Sequence, residues 1–199
     1  MKNLIRSFIA VPLNPQVHKN LVDFTRQYGL NSREHGFRPV KPENIHLTLK
    51  FLRDIDQDQV QKLGLVLSQL AVKLSPFTGS VQGIGVFPGW NKRPRVIWVG
   101  VEPVEPIREV YHLIEEATTK LGIASDGKPF SPHLTLARVS YLTRESELVI
   151  NKLKDLSLEP DFGRFPIDRV TLFKSVLLPQ GPVYSIVSSH PLSSHPFSA

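Results

Sequence analysis

The hydrophobic and polar positions of the chain spell out one succession of elements and then repeat it. An apolar run from Leu4 to Val11, closed by Pro12, predicts a first strand. From Gln16 to Tyr28 the apolar residues Val17, Leu21, Phe24 and Tyr28 recur at helical spacing, and Gly29 stops the helix. Arg33 to Pro42 is polar and turn-rich and reads as a loop. Ile45 to Leu52 is a second strand. Asp56 then caps a helix whose buried stripe is Val60, Leu63, Leu67 and Leu70. Phe77 to Phe87 is a strand interrupted by Gly79, Gly83 and Gly85, a pattern that marks bulges or close backbone approach. Pro88 to Pro94 is a turn.

The order begins again at Arg95. A strand runs to Val101, and a helix runs from Glu105 to Leu121 with Gly122 closing it. A polar loop covers Ser125 to Phe130, and a strand covers Pro132 to Val139. Thr143 caps a helix reaching Leu156, and further strands cover Arg164 to Phe173 and Val183 to Val187. Residues 188–199, rich in Ser, His and Pro, read as a disordered tail, and neither His190 nor His195 carries a functional signal there. The expected class is therefore α+β. Residues 1–187 form one bilobal domain from an internal repeat, about 1–93 and 94–187. Two pseudo-twofold-related lobes with antiparallel sheets would flank a central cleft.

Each half carries His-Leu-Thr-Leu on its second strand, at His46–Leu49 and at His133–Leu136. Residues i and i+2 of a strand share a face, so each copy sets an imidazole beside a hydroxyl and turns two leucines inward. One His-x-Thr is weak evidence, and a polar strand face accounts for it. Two copies inside a larger repeat are another matter. Brought to one cleft, they supply two groups that titrate near neutrality and two hydroxyl donors, which suits acid–base chemistry at an anionic centre.

Composition narrows this. At 199 residues with 41% hydrophobic content, the chain is an ordinary globular protein. The absence of cysteine excludes disulfides, thiolate metal sites and cysteine nucleophiles. No apolar run is long enough to span a bilayer and no secretory signal is visible, so no membrane association and a cytoplasmic location are expected. A net charge of +6 favours anionic partners, although no basic tract of the nucleic-acid-tail kind is present.

The residues around the motifs carry a resemblance. Arg6-x-Phe8-x-Ala10, Glu43-Asn44-x-His46-Leu47-Thr48-Leu49-Lys50-Phe51-Leu52, Phe87-Pro88, Pro94-Arg95-Val96-x-Trp98-Val99-Gly100, Phe130-x-Pro132-His133-Leu134-Thr135-Leu136-Ala137-Arg138 and Leu172-Phe173-x-Ser175 span residues 1–187. In these the chain resembles the two-histidine phosphoesterase superfamily, and within it the 2′-5′ RNA ligase-like branch of RNA 2′,3′-cyclic phosphodiesterases. The resemblance implies metal-independent opening of a terminal 2′,3′-cyclic phosphate to a 2′-phosphomonoester, with reverse 2′-5′ joining in some members. It implies no cofactor and RNA as partner, and the chain is expected to act as a monomer. By family roles His46 is the general acid and His133 the general base, although pseudosymmetry leaves the exchange open in the sequence. Thr48 and Thr135 would bind phosphate oxygens, and Arg138 would pair with phosphate.

Several positions have a second reading. Arg138 stands five residues after His133, so strict alternation sends it to the far face unless a bulge or the strand end returns it. Lys50 has cleft parity but also fits a solvated strand end. Phe8 is a candidate for stacking on a base, against a core role. Trp98 reads as core, and Lys92, Arg93 and Arg95 are candidates for a basic rim. Rival functions are a metal site built on His46 and His133 with His18, His35 or His112, a non-catalytic RNA-end-binding module, and hydrolysis of another small cyclic phosphate. No ligand-spaced His or carboxylate cluster supports the first.

Overall fold

The computed structural model describes residues 4–193 apart from 126 and 128. The order is β1 (Ile5–Val11), α1 (Pro15–Gln27), β2 (Phe37–Pro39), β3 (Leu47–Ile55), α2 (Gln57–Ala71), β4 (Phe77–Phe87), β5 (Val96–Glu102), α3 (Val104–Lys120), β6 (His133–Val139), α4 (Arg144–Asp155), β7 (Asp161–Ile167), β8 (Arg169–Leu178) and β9 (Gly181–Pro191). Local chemistry sets the helix starts. Asn14 accepts from the Val17 amide at 2.9 Å ahead of Pro15. Asp56 with Gln59, and Thr143 with Ser146, form reciprocal capping boxes.

The strands form two antiparallel sheets, ordered β3-β1-β8-β9 and β2-β6-β5-β4-β7. The α+β class and the two-sheet architecture are as the repeat predicts. The lobes, however, are not the two halves of the chain. β4, from the first half, lies inside the second sheet, and β8, from the second half, lies inside the first. The helices cross over as well: α1 packs on β7 and α4 on β4, whereas α2 packs on β8, β9 and α3, and α3 packs on β3. The apolar faces merge into one core holding residues of both sheets, among them Ile9, Leu47, Ile97 and Leu134.

Three expectations change. The predicted strand from Arg164 to Phe173 divides at Asp168, because the chain leaves the second sheet there and enters the first. The loop at 33–42 contains β2, which pairs with β6 at the edge of the second sheet. Residues 188–191, expected to be disordered, extend β9. The Leu192 amide donates to the Asp168 carbonyl at 2.7 Å, and the Leu192 side chain is buried. Residues 194–199, including His195, lie outside the described residues.

Candidate active site

A cleft of about 1320 Å³ runs between the sheets, and both motifs open into it: His46, Thr48, His133 and Thr135 all line it. The alternating leucines Leu47, Leu49, Leu134 and Leu136 point into the core and are at most 3% exposed. Each imidazole and its threonine are thus fixed by the apolar anchoring of the same strand.

Each strand then breaks its alternation at the same place. Along β3, Ile9 pairs with Lys50 but Ala10 pairs with Thr48, so Leu49 is an extra residue. Along β6, Ile97 pairs with Ala137 but Trp98 pairs with Thr135, so Leu136 is extra. A bulge exchanges the faces of everything beyond it. Arg138 therefore returns to the cleft. Lys50 goes the other way. It is 1% exposed, and its Nζ donates to Glu115 Oε1 on α3 at 2.6 Å and to the Ala124 carbonyl at 3.2 Å. Neither of its two expected readings fits, since Lys50 is a buried ion-pair residue behind the motif strand. The cleft-facing counterpart of Arg138 is Phe51, which is 54% exposed and lines the cleft.

The imidazoles are held alike. His133 Nδ1 lies 2.7 Å from the Ser131 carbonyl, and a carbonyl only accepts, so Nδ1 carries the proton and Nε2 keeps its lone pair. His46 makes the matching backbone hydrogen bond to Asn44, also two residues upstream. Asn44 is itself buried and donates from Nδ2 to the Pro182 carbonyl at 2.9 Å, tying this turn to β9. Aromatic rings flank both histidines. Phe8 stacks on His46 at 4.7 Å, with Phe173 beside it and Tyr184 edge-on at 5.5 Å. On the other side Phe87 meets His133 edge-on at 5.0 Å, and Trp98 lies at 6.1 Å. Gly85 makes room for that indole, since a Cβ there would sit 2.1 Å from it.

Desolvation dominates the titration of both groups. It lowers His46 to about 4, outweighing the Asn44 hydrogen bond, and the charge of His18 adds to the depression. It also lowers His133, where Arg138 contributes in the same direction. The unliganded cleft therefore presents two neutral imidazoles at pH 7. Around them the cleft lining includes Arg6, Arg33, Arg38, Lys41, Arg53 and Arg138 and, among the described residues, no Asp or Glu. Burial raises the Tyr184 phenol, and Arg138 and Arg6 pull against it, which sets that hydroxyl close to cations from both sheets.

Sequence reasoning thus locates His46, Thr48, His133, Thr135 and Arg138 in one cleft. Phe8 also borders it, but the ring is 3% exposed and its stacked neighbours are His46 and Phe173. Lys92, Arg93 and Arg95 are not among the cleft-lining residues. Trp98 is half-buried behind His133 rather than in the core. The sequence reading quotes Asn44 in the motif without giving it a role, and it misses Arg38 and Tyr184. Among the described residues no group of three or more His, Cys, Asp or Glu could hold a metal ion. His18 Nε2 is engaged with the Ile45 carbonyl at 3.0 Å, and His112 lies beside Tyr111 on α3. No described helix is long and apolar enough to cross a membrane.

The chain is similar to proteins named RNA 2′,3′-cyclic phosphodiesterase. One from Methanocaldococcus jannaschii is 30% identical over 185 residues, covering 92% of this chain and 98% of that protein. One from Thermotoga maritima is 30% identical and covers 92% and 93%. Among solved structures, TT0787 of Thermus thermophilus matches with a TM-score of 0.79 at 27% identity, covering 96% of this chain and all of that one. E. coli LigT complexed with 3′-AMP shares the fold, with a TM-score of 0.76 at 19% identity over 96% of this chain. The model of the LigT-like phosphoesterases matches twice, at residues 11–98 and 99–184, one match for each His-x-Thr strand. The duplicated motif, the two-sheet fold and the relatives agree: the chain belongs to the LigT-like phosphoesterase family.

Proposed function

We propose that this protein hydrolyses the 2′,3′-cyclic phosphate at the end of an RNA strand to a 2′-phosphomonoester and a free 3′-hydroxyl, using no metal ion. The observation that carries the reading is the pair of imidazoles, each tied to the carbonyl two residues upstream, facing one cleft that the described residues line with cations and no carboxylate. That the relatives bear the name RNA 2′,3′-cyclic phosphodiesterase supports the same substrate.

His133 Nε2 takes a proton from water as the new P–O bond forms. On the opposite side the bond from phosphorus to the 3′ oxygen breaks, and His46 delivers its proton to that oxygen. His133 ends protonated and His46 neutral, and one proton exchange with solvent resets the pair. A phosphodiester anion between the imidazoles opposes the desolvation that keeps them neutral, which gives His46 its proton in the complex. The Thr48 and Thr135 hydroxyls and the Arg138 guanidinium bear the charge that builds on the non-bridging oxygens. Phe8 acts through His46, fixing the plane of the ring from behind. With the 5′-hydroxyl of a second strand in place of water, the same forward step would join ends through a 2′-5′ linkage, His133 taking the hydroxyl proton and His46 protonating the departing 3′ oxygen. Both histidines, both threonines and Arg138 come from one chain, so the reaction as drawn needs no residue of a second copy.

The test is hydrolysis of an oligoribonucleotide ending in a 2′,3′-cyclic phosphate, in excess EDTA, with the position of the product phosphate assigned. A 2′-phosphate is expected. Turnover only after metal is restored would replace this mechanism with a metal-assisted one. Binding without turnover in either buffer would make the protein an RNA-end-binding module.

A further inference from the structure

β2 is three residues long, yet it places a second arginine in register with the first. Arg38 pairs directly with Arg138 across β2 and β6. Directly opposed residues of antiparallel strands share a face, with Cβ atoms about 4.5–5.5 Å apart, and like charges there repel. The neighbouring Phe37 is fully buried on the other face, and Arg38 is exposed and lines the cleft. Among the described residues neither arginine makes an ion pair, and no carboxylate lines the cleft to neutralise them.

The segment bearing Arg38 is built to hold it there. Gly36 has φ +82, and a Cβ on it would lie 2.2 Å from the Tyr141 carbonyl oxygen. The Ser140 amide donates to the Gly36 carbonyl at 2.9 Å, and the Tyr141 hydroxyl donates to the Arg33 carbonyl at 3.0 Å. The loop is thereby fastened to the end of β6, the strand that carries His133. Arg33, exposed and lining the same stretch of cleft, extends the basic surface outward.

Resting on the function proposed above, we propose that Arg38, opposite Arg138, holds a backbone phosphate upstream of the reacting one, so that the cleft takes a single-stranded polyribonucleotide and not only a cyclic mononucleotide. Arg138 lies on the reacting side, since its charge bears on both His133 and Tyr184. Arg38 is one strand further out, about 4.8 Å away in the pairing direction, and the side-chain charges bearing on the two histidines are those of His18 and Arg138. With the reacting phosphate on Arg138 and the upstream phosphate on Arg38, a bound strand would relieve the repulsion of the opposed guanidiniums with charge-assisted hydrogen bonds. The space is there: about 1320 Å³ exceeds the roughly 300–1,000 Å³ of ordinary small-ligand pockets.

The experiment compares a 2′,3′-cyclic mononucleotide with a ten-nucleotide single strand ending in the same group, using the wild type and Arg38→Gln. In parallel it follows binding of the strand ending in a 2′-phosphate by fluorescence anisotropy at several salt concentrations. Arg38→Gln is expected to lower kcat/KM on the oligonucleotide about tenfold through KM, the scale of one hydrogen bond to a charged group. Its effect on the mononucleotide should stay within about twofold. The salt slope of binding should fall by about 0.7, one released counterion on a single strand. An equal loss on both substrates, or no loss on the oligonucleotide, would overturn the assignment. Arg38-dependent binding with no turnover of either substrate would retain the strand site and refute the proposed reaction. Mononucleotide turnover with no advantage for the oligonucleotide would do the reverse.

Discussion

Acidification is expected to destabilise the fold through His46 in a way that one substitution isolates. Its imidazole titrates at about 4 rather than 6.5, mainly because the cleft floor desolvates the charged ring. The folded pKa is the lower one, so between pH 6.5 and 4 the unfolded chain binds the proton that the folded chain refuses. The stability this group contributes is fully present above pH 6.5 and is lost as the pH falls toward 4. At 1.36 kcal/mol per pH unit the interval from 6.5 to about 4 corresponds to roughly 3 kcal/mol. That is a large share of a typical stability of about 5–15 kcal/mol. The assay is urea unfolding of the wild type and His46→Gln at pH 7.5 and pH 4. Carboxylates and the other lowered histidines, His133 and His190, act in both proteins and cancel in the comparison. The wild type is expected to lose about 2–3 kcal/mol more than the variant on acidification. Equal losses would refute the reasoning: His46 would then titrate normally, and the cleft floor would not be the low-dielectric site argued above.

The element order is legible in the sequence because its signals are local. Asp56 and Thr143 are caps of the right type at the right places, and the helical stripes that follow them are unambiguous. The site is legible for another reason: a duplicated His-x-Thr strand has few purposes. What fails is any inference that carries parity past Leu49 or Leu136. Counting from His46 aims Lys50 at the cleft, and counting from His133 aims Arg138 away from it. One bulge in each strand inverts both. No Gly or Pro marks either bulge, and the signal is cross-strand register, which a single chain read in order does not contain. The repeat offers one check, since a device needed to return Arg138 in one half should recur in the other, where it buries Lys50. Strand exchange is hidden for the same reason. Periodicity assigns β4 and β8 to strands but says nothing about which sheet receives them. Arg38 and Tyr184 are hidden because their neighbours at the site, Arg138 and His46, lie far away in the chain.

His46→Ala and His133→Ala are each expected to lower turnover of the cyclic phosphate by about 10²–10⁴-fold with the far-UV spectrum unchanged. A wild-type rate in either variant removes that group from the reaction. The pH profile of kcat/KM, which reports the free enzyme, is expected to peak below pH 6.5 because both imidazoles are depressed there. The profile of kcat should lie at higher pH, since bound phosphate favours the charged rings; coincident profiles would contradict that electrostatic coupling. Lys50 carries the final prediction. Its ammonium and the Glu115 carboxylate are both buried and tie β3, the strand bearing Thr48, to α3 from the other half of the chain. Lys50→Ala strands a buried carboxylate and should cost about 3–5 kcal/mol in urea unfolding. Lys50→Met combined with Glu115→Leu removes both charges at similar volume and should recover most of that loss. If the pair only holds the strand in place, the double variant regains turnover along with stability, and its pH profile matches the wild type. If the double variant remains as unstable as Lys50→Ala, the pair is not an isolated buried couple, and the account of why the bulge sends Lys50 inward fails.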